Sequence, residues 1–484
     1  MAITEADALS HPAVAALVAR LAARISDLEA ALTLALSRVA ELEGQHGTPR
    51  KTPENSSLPP ASGFKADRAA RRRTAKAEGA PAAKRGPKAG HRGVSRSRVP
   101  TAHVDQVLVC RPTTCGDCGS ALPETGGKVV GRQQVVDLPP VRPLVLDLQR
   151  LRLHCRHCGH GTVGRAPAGW DQQASFGPRI VALAALLHDQ QHIAYDRLVS
   201  LFAEVFGLQI SEGALVAAVA RLSTKLAPLA ADIAASVRGA AVLGSDETSM
   251  RVNGKTWWAW VFQTATAAVF RLQPRRNAAG VLSFLDGRQP QVWVSDLLGS
   301  QLLAPSVRYQ ICLAHQLRAL RYAEQWEHGE QRTAARTWAV QFADLLRRAI
   351  HRRNQQAADA FAAPQFVADV AALEAEADSL LAARLPIGES YGLQTRFLVH
   401  RAGLWTVLHE PGVPPTNNSS EQALRPLVVH RKVTNGFRSE AAAQRYAPLR
   451  TVTETARRRG QSVFATLLQA AGTPLPLSPS NHFA

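Results

Sequence analysis

The sequence predicts a multidomain α+β protein, and three observations lead to that prediction. The chain has 484 residues, whereas a single domain has roughly 100 to 200. Helical periodicity dominates residues 14–42 and 177–227, but short aromatic and β-branched segments replace it after Gly239. Two C-x-x-C pairs lie between the two helical regions, in a stretch with β-like runs. We therefore expect an N-terminal helix, a metal-binding β domain, a helical domain and a larger α+β domain.

Residues 1–46 carry a heptad repeat between Val14 and Leu42, in which apolar side chains recur alternately four and three residues apart. The repeat places β-branched residues mainly at position a and leucine mainly at position d, a combination that favours parallel dimers. We expect a coiled-coil dimerisation helix at residues 14–42, and therefore a homo-oligomer. A single amphipathic helix packed on its own domain is the alternative. The a positions are Val18, Ile25, Leu32 and Val39, and the d positions are Leu21, Leu28, Ala35 and Leu42.

Residues 47–102 are rich in Pro, Ala, Gly, Ser and charge and contain almost no large apolar residue, so we expect a disordered linker. Between Lys65 and Arg98, twelve Lys or Arg residues stand against Asp67 and Glu78, a local net charge of +10 within the total of +19. Such an arm suits sequence-independent contact with DNA phosphates, although an anionic membrane surface attracts the same charge. The candidate DNA-binding residues are Arg71, Arg72, Arg73, Lys84, Arg85 and Lys88.

Residues 103–170 contain two C-x-x-C pairs, Cys115 with Cys118 and Cys155 with Cys158. Two such turns supply four thiolates to one structural Zn²⁺ in a closed tetrahedral site, which leaves no open position for chemistry. Reduced free thiols in a small β domain are the alternative. Nearby residues that offer substitute ligands are Cys110, His154, His157 and His160, and the β-like runs are Gly131–Leu138 and Leu144–Leu153.

Residues 171–238 predict a helical domain whose last two helices form a helix-turn-helix. Gly207 suits the position after a helix, and Ser211 suits the N-cap of the next one. The last helix would then read DNA bases. Its outward positions are mostly Ala, so a helical packing domain is the alternative. The predicted helices are Pro178–Gln190, Ala194–Phe206 and Glu212–Leu226.

The stretch from residue 239 onwards predicts a sheet with an aspartate just beyond each of two strands. Asp246 follows the run Ala241–Gly244, and Asp296 follows the run Val292–Val294. Carboxylates at adjacent strand ends can converge on Mg²⁺, which prefers oxygen ligands, but an isolated Asp at a strand end is more often a cap or turn residue. The other predicted elements are strands at Lys255–Thr264 and Ala267–Leu272 and a helix at Asn277–Leu285.

A third acid is predicted in the segment that begins at Pro414. Asn417 and the residues after it can cap a new helix, which places Glu421 in its first turns. Arg425 lies four residues further on and shares the helical face of Glu421. We expect it either to contact a scissile phosphate or to pair with Glu421.

Eight short motifs occur in a fixed order over nearly the whole chain, from about residue 14 to 470. They are Lys51-Thr-Pro-Glu-Asn-Ser-Ser-Leu-Pro-Pro, Gly90-His91-Arg92-Gly93, the double C-x-x-C, Phe176-Gly-Pro-Arg, Ile210-Ser-Glu-Gly, Asp246-Glu247-Thr248, Cys312-x-x-His315-x-x-Arg318 and Asn417-Asn418-x-x-Glu421-x-x-x-Arg425-Pro426. Each motif is weak alone, but their joint order is hard to obtain by chance. In this order they resemble the bacterial insertion-sequence transposases of the IS66 family.

That resemblance implies a ribonuclease-H-like catalytic core at residues 239–470, with a helical insertion at about 320–410 and a tail at 471–484. The implied activity is cutting of double-stranded DNA at the ends of a mobile element and joining of the freed 3′ hydroxyls to a target. The implied partners are DNA and other element-encoded proteins. No run of the sequence reaches the roughly 18 unbroken apolar residues of a membrane span, so we expect a cytoplasmic, nucleoid-associated protein that binds no membrane.

The resemblance also assigns site residues. Asp246, Asp296 and Glu421 fall at the three acids of the family, which hold two Mg²⁺ or Mn²⁺ ions. Glu247 follows Asp246 directly and is the alternative first ligand. Cys312 and His315 resemble a C-x-x-H motif of similar transposases and are expected to be auxiliary residues near the site. Two other functions stay open: a catalytically silent zinc-dependent DNA-binding regulator, and a nuclease that does not join strands.

Overall fold

The computed structural model describes residues 20–29, 31–32, 48–49, 51–56, 58, 91, 93, 96–166, 176–356 and 360–472. The six basic residues predicted to bind DNA lie outside these ranges, as does most of the heptad repeat. The described chain divides into two compact units. The first unit comprises residues 1–65, 150–198 and 211–484, and the second comprises residues 66–149 and 199–210.

The N-terminal helix is visible over residues 20–29. The heptad residues Leu21, Ile25 and Leu28 in this stretch are all more than half exposed. The helical conformation agrees with the heptad pattern. Because its apolar side chains are exposed, pairing with a second helix in a coiled coil stays a prediction.

The predicted disordered linker is wrong at both ends. Residues 51–56 form an ordered turn that packs on the rest of the first unit. At the other end, Val99 exchanges two hydrogen bonds with the side chain of Gln134, and the guanidinium of Arg98 donates to the carbonyl oxygen of Arg132. Hydrogen bonds that involve side chains hold both segments in place, and amino-acid composition alone does not predict such bonds.

The predicted strands of the cysteine-rich region are also largely wrong. The described residues there form two short antiparallel strands, β1 (Arg152–His154) and β2 (Gly161–Val163), and one isolated bridge between Thr114 and Ala121. Residues 131–138 have no strand, and their Val and Leu side chains are exposed. A strand needs a partner strand for its N–H and C=O groups, and an alternating sequence pattern cannot supply one.

The helical region after residue 177 follows the prediction closely. Gly207 adopts a positive φ of 64° after the second helix, and the Ser211 hydroxyl accepts a hydrogen bond from the Ala214 N–H as the N-cap of the third. The third helix continues to Arg238, well past the predicted end, because the residues after Pro228 still bury apolar side chains. The helices are α1 (Pro178–Asp189), α2 (Tyr195–Phe206) and α3 (Glu212–Arg238).

Helix α3 is long and apolar enough to cross a membrane by composition. However, Leu215, Leu222 and Leu226 are fully or almost fully buried, and the helix packs against other helices of the first unit. A core helix of a soluble protein has the same composition, so this feature is not evidence for a membrane span.

A mixed sheet of five strands forms the centre of the first unit, in the order β5-β4-β3-β6-β7. Strands β3, β4 and β5 run antiparallel as consecutive hairpins, as predicted, and β6 and β7 run parallel to β3. The strands are β3 (Val242–Val252), β4 (Lys255–Gln263), β5 (Ala268–Gln273), β6 (Val292–Ser295) and β7 (Arg308–Ile311).

The remaining helices cover the sheet. Helix α4 stacks Phe284 on Phe262 of β4 at a ring distance of 3.9 Å, whereas α11 and α12 share a core with β3, β4 and β5. Five helices between β7 and α11 bury their large side chains together with β6 and β7. These elements are α4 (Ala278–Leu285), α5 (Gly299–Leu302), α6 (Leu313–Trp326), α7 (Thr333–Gln355), α8 (Pro364–Leu381), α9 (Glu389–Val399), α10 (Arg401–His409), α11 (Asn418–Thr434), α12 (Glu440–Arg458) and α13 (Val463–Ala471).

Candidate active site

Asp246, Asp296 and Cys312 occupy one row across three neighbouring strands. The register pairs Gly244 of β3 with Val294 of β6, so the residues two further along each chain, Asp246 and Asp296, share a level. The next pair in the sheet, Ser295 with Ile311 of β7, brings Cys312 to the same level. The sheet therefore brings the two predicted aspartates to one edge.

Asp246 does not follow a strand end, as the sequence predicted, but lies inside β3. This strand stays paired with β4 as far as Val252, whereas its parallel partner β6 ends at Ser295. Asp246 therefore lies at the point where the parallel part of the sheet stops. Short polar residues interrupt the apolar run at this point, and for this reason the sequence pattern underestimates the strand.

Glu247 points to the opposite face of β3, because side chains alternate along a strand. Its side chain is 1% exposed and accepts hydrogen bonds from Arg276 at 2.6 and 3.0 Å and from Gln301 at 2.7 Å. These partners occupy its carboxylate oxygens. The geometry thus separates the two adjacent acids and leaves Asp246, not Glu247, facing the side of the sheet that Glu421 approaches.

The carboxyl group of Asp246 lies in an electrostatically unfavourable place. Burial raises its pKa well above the ordinary value, and the neighbouring charges of Glu247, Asp296 and Glu421 raise it further, although the Glu247 N–H donates to Asp246 Oδ1 at 2.9 Å and opposes the shift. Several acids thus share a partly desolvated space. A bound cation would relieve their mutual repulsion.

Glu421 reaches this space from the first turn of α11, as the sequence predicted. The helix begins after Asn417, and Ser420 fixes its first turn by accepting a hydrogen bond from Gln263 Nε2 of β4 at 2.6 Å. Gly244 leaves room for this contact, since a Cβ there would lie 3.2 Å from Ser420 Oγ. The start of α11 is thereby held against β3 and β4.

Asn417 joins β3, which carries Asp246, the end of β7, where Cys312 lies, and α11, which carries Glu421. Its backbone N–H donates to Cys312 Sγ at 3.1 Å, and its side-chain amide donates to the carbonyl oxygen of Ser245 at 2.8 Å. Its Oδ1 accepts from Ser420 at 2.6 Å. Sequence reasoning treated Asn417 only as a helix cap. It stands at the N-cap position, but its side chain makes no capping hydrogen bond, and the residue instead fixes β3, the end of β7 and α11 relative to one another.

Glu421 pairs with Arg318 of α6 rather than with Arg425, and His315 of the same helix lies beside it. Glu421 Oε1 lies 3.5 Å from Arg318 and 3.8 Å from His315 Nδ1, while Arg425 is exposed. Burial, followed by the charge of Arg318, lowers the pKa of His315. Arg318 was part of a recognised motif but was not selected as a site residue, because its partner lies far away in the sequence.

The tightest group of possible metal ligands among the described residues is Cys312, His315 and Glu421, whose ligand atoms all lie within 4.8 Å of one another. Asp246, Asp296 and Glu421 do not form so tight a group. Cys312 is fully buried, and burial raises the pKa of its thiol. In this structure the Cys312 Sγ accepts the backbone N–H of Asn417 at 3.1 Å.

The two C-x-x-C pairs form turns of the same local geometry. In the first, the Cys115 N–H donates to Ser120 O and the Gly119 N–H donates to Cys115 O. In the second, Cys155, Gly159 and His160 repeat this pattern at the same spacing. Gly119 and Gly159 have φ values of 72° and 73°, a conformation that suits glycine. The two turns belong to different compact units.

One thiol in each turn has a lowered pKa. A hydrogen bond with the Ser120 hydroxyl lowers the pKa of Cys118 to about 7. The backbone N–H groups of Cys158 and His157 lower the pKa of Cys155. Because thiolates are the form that binds Zn²⁺, both turns fit the donor set of a structural zinc site.

Two protein-family models match the chain. The model described as "Transposase IS66 family" matches residues 173–445, a range that contains the sheet, the three acids and the helices between β7 and α11. The model described as "zinc-finger binding domain of transposase IS66" matches residues 112–159, a range that contains all four cysteines. No curated protein matches the chain.

Proposed function

This chain belongs to the IS66 transposase family, and we propose that it performs DNA transposition by cutting and joining strands at Asp246, Asp296 and Glu421. The family establishes a transposase with a zinc-finger domain ahead of its transposase domain. The arrangement of the acids carries the finer proposal. Asp246 and Asp296 share one row of the parallel sheet, and Glu421 enters from a helix that Asn417 ties to β3, the strand of Asp246, and to Cys312 after β7.

The donor set suits Mg²⁺ or Mn²⁺. Burial, and then the charges of Glu247, Asp296 and Glu421, raise the pKa of Asp246. Glu421 Oε1 is a buried atom without a hydrogen-bond partner. Hard divalent cations take such oxygen ligands, and we assign two of them to the three acids.

The bound ions would supply electrophilic stabilisation of the attacking and leaving oxygens during phosphoryl transfer. The protein itself positions the acids. Asn417 holds the segment before Asp246, Arg318 forms an ion pair with Glu421, and Arg276 keeps the neighbouring Glu247 away from the site. With the acids fixed in advance, little reorganisation is needed when DNA arrives.

The sheet order supports the ribonuclease-H-like class that the resemblance implies. Three antiparallel strands followed by two strands parallel to the first, with acids on adjacent parallel strands, suit that class. We assign the helices at about 320–410 to an insertion that shares a core with β6 and β7. The coiled coil at residues 14–42, the basic arm and the helix-turn-helix remain our proposals for dimerisation and DNA binding.

A strand-cleavage and strand-transfer assay tests the proposal, with DNA that carries the ends of the element encoding this chain and with Mg²⁺ present. We expect Asp246→Asn, Asp296→Asn and Glu421→Gln to bind that DNA but neither to cut nor to join it. Glu440→Gln removes an exposed acid at the start of α12 and is the matched control, which we expect to retain activity. Equal activity of the three variants and the wild type would refute the assignment.

The same assay separates the alternatives. Cut ends without joined products would indicate a nuclease. Selective DNA binding without cleavage in any variant, including the wild type, would indicate a regulator. The family match favours neither of these.

A further inference from the structure

Residues 51–56 form an ordered turn inside a segment whose composition predicts disorder. The Thr52 N–H donates to Asn55 Oδ1 at 2.6 Å, the Asn55 N–H donates back to the Thr52 carbonyl oxygen at 3.2 Å, and the Ser56 hydroxyl donates to the same oxygen at 2.5 Å. Asn55 is only 2% exposed. A polar residue this deeply buried in an expected linker indicates a specific docking position. We call residues 51–56 the docked turn.

The docked turn attaches to α6 at three points. Asn55 Nδ2 donates to Gln325 Oε1 at 2.6 Å, Glu54 pairs with Arg321 at 3.3 Å, and the Lys51 ammonium lies 5.7 Å from the centre of the Tyr322 ring. Helix α6 also carries His315 and Arg318, the partners of Glu421. The turn therefore packs on the helix that positions a proposed catalytic acid.

A cavity of about 500 Å³ lies between the docked turn and Asp296. Lys51 and Asn55 line it together with Asp296. Arg318 and Arg396 contribute two further cations, whereas Glu389 is the single acid of the lining apart from Asp296. Three cations around a cavity that reaches a proposed metal ligand suit the phosphodiester backbone of a nucleic acid strand.

We propose that the docked turn is part of the DNA-binding site, and that Lys51 contacts a DNA phosphate beside the catalytic acids together with Arg318 and Arg396. This inference rests on the proposed function, because it assigns the substrate of the cavity that Asp296 lines. Asn55 acts as the anchor that holds Lys51 over the cavity. The docked turn and α6, which lie far apart in the sequence, would thus form one substrate site.

Fluorescence anisotropy with a short duplex carrying the terminal sequence of the element tests this proposal, with salt titrated. We expect Lys51→Gln to weaken binding several-fold and to lower the slope of log affinity against log salt by about one, the effect of one lost phosphate contact. Lys255→Gln is the matched control, since Lys255 is an exposed lysine in the β3–β4 hairpin, and it should leave the slope unchanged.

A second variant separates DNA contact from folding. Asn55→Ala removes the anchor, so we expect the same loss of affinity together with faster hydrogen exchange in residues 51–56, while the melting temperature of the sheet-containing unit stays close to wild type. Where the wild type cuts DNA, Lys51→Gln should raise KM more than it lowers kcat.

The binding measurement does not depend on cleavage. A wild type that binds without cutting, with weaker binding by Lys51→Gln, would support the docked turn and contradict the catalytic proposal. A cutting wild type whose affinity and salt slope are unchanged by Lys51→Gln would contradict the docked turn alone. A wild type that does not bind the duplex would overturn both.

Discussion

The side-chain amide of Asn417 donates a hydrogen bond of 2.8 Å to the backbone carbonyl oxygen of Ser245, the residue directly before Asp246. Asn417 also precedes the helix that carries Glu421. Two proposed catalytic acids separated by 175 positions in the sequence are therefore connected through one buried amide. This hydrogen bond fixes the residue before Asp246 relative to the start of the helix that carries Glu421.

Asn417→Ala should loosen the acids without removing any of them. We expect a stability loss of about 1–3 kcal/mol from the buried groups left without partners, and a higher Mg²⁺ concentration for half-maximal cleavage, because Glu421 is no longer fixed relative to Asp246. Denaturant unfolding and metal titration of cleavage measure the two effects.

Gln394→Ala is the control for this prediction. Gln394 is also buried, and it donates to the carbonyl oxygens of Leu381 and Ala383 in the helical region. The Gln394→Ala variant should therefore be destabilised to a similar extent but need the same Mg²⁺ concentration for cleavage. If Asn417→Ala lowers stability but leaves the Mg²⁺ requirement for cleavage unchanged, Asn417 has no role in positioning the acids.

Asp246→Asn should make the metal-free protein more stable. Burial and three neighbouring acids raise the pKa of Asp246, which means that the folded state disfavours the carboxylate relative to the unfolded state. The amide removes this cost. We expect a higher melting temperature than wild type in a chelating buffer, and a smaller increase when Mg²⁺ is added. A lower melting temperature in the chelating buffer would contradict the repulsion that we assign to this site.

Much of the site follows from the sequence, since apolar runs locate the strands and capping residues locate the start of α11. The extension of β3 through Asp246 does not follow, because pairing with β4 overrides the polar interruption. The roles of Arg318 and the docked turn were also missed. Glu421 and Gln325 lie far away along the chain, and a single sequence contains no information about which distant polar groups meet.

One Zn²⁺ per chain should depend on the two C-x-x-C turns. Cys118→Ser and Cys155→Ser remove thiols whose pKa is already lowered by hydrogen bonds, so each should abolish stoichiometric zinc in protein dialysed against a weak chelator. Metal content by atomic absorption measures this.

Two other cysteines are the controls for the zinc prediction. Cys110→Ser and Cys312→Ser should each retain the ion, because Cys110 lies outside both turns and the Cys312 thiol is buried with a raised pKa. Loss of zinc in Cys110→Ser would show that this residue substitutes for one of the four ligands.

Acid should destabilise the first unit through two buried histidines. His430 is 2% exposed and contacts the rings of His188, Phe437 and Tyr446. Burial lowers the pKa of His430 to about 3 from the ordinary value of 6.5, and also lowers the pKa of His188. Below pH 6.5 the unfolded chain binds protons at these histidines that the folded chain does not bind. The free energy of unfolding is therefore highest above pH 6.5 and decreases as the pH falls below it.

The expected loss from His430 is about 1.4 kcal/mol per pH unit, which urea unfolding at successive pH values can measure. His430→Phe keeps an aromatic ring in the cluster and removes one proton-binding group, so its stability should fall less steeply below pH 6.5. His351→Gln changes an exposed histidine and should leave the slope at the wild-type value. If His430→Phe also keeps that slope, groups other than His430 cause the acid sensitivity.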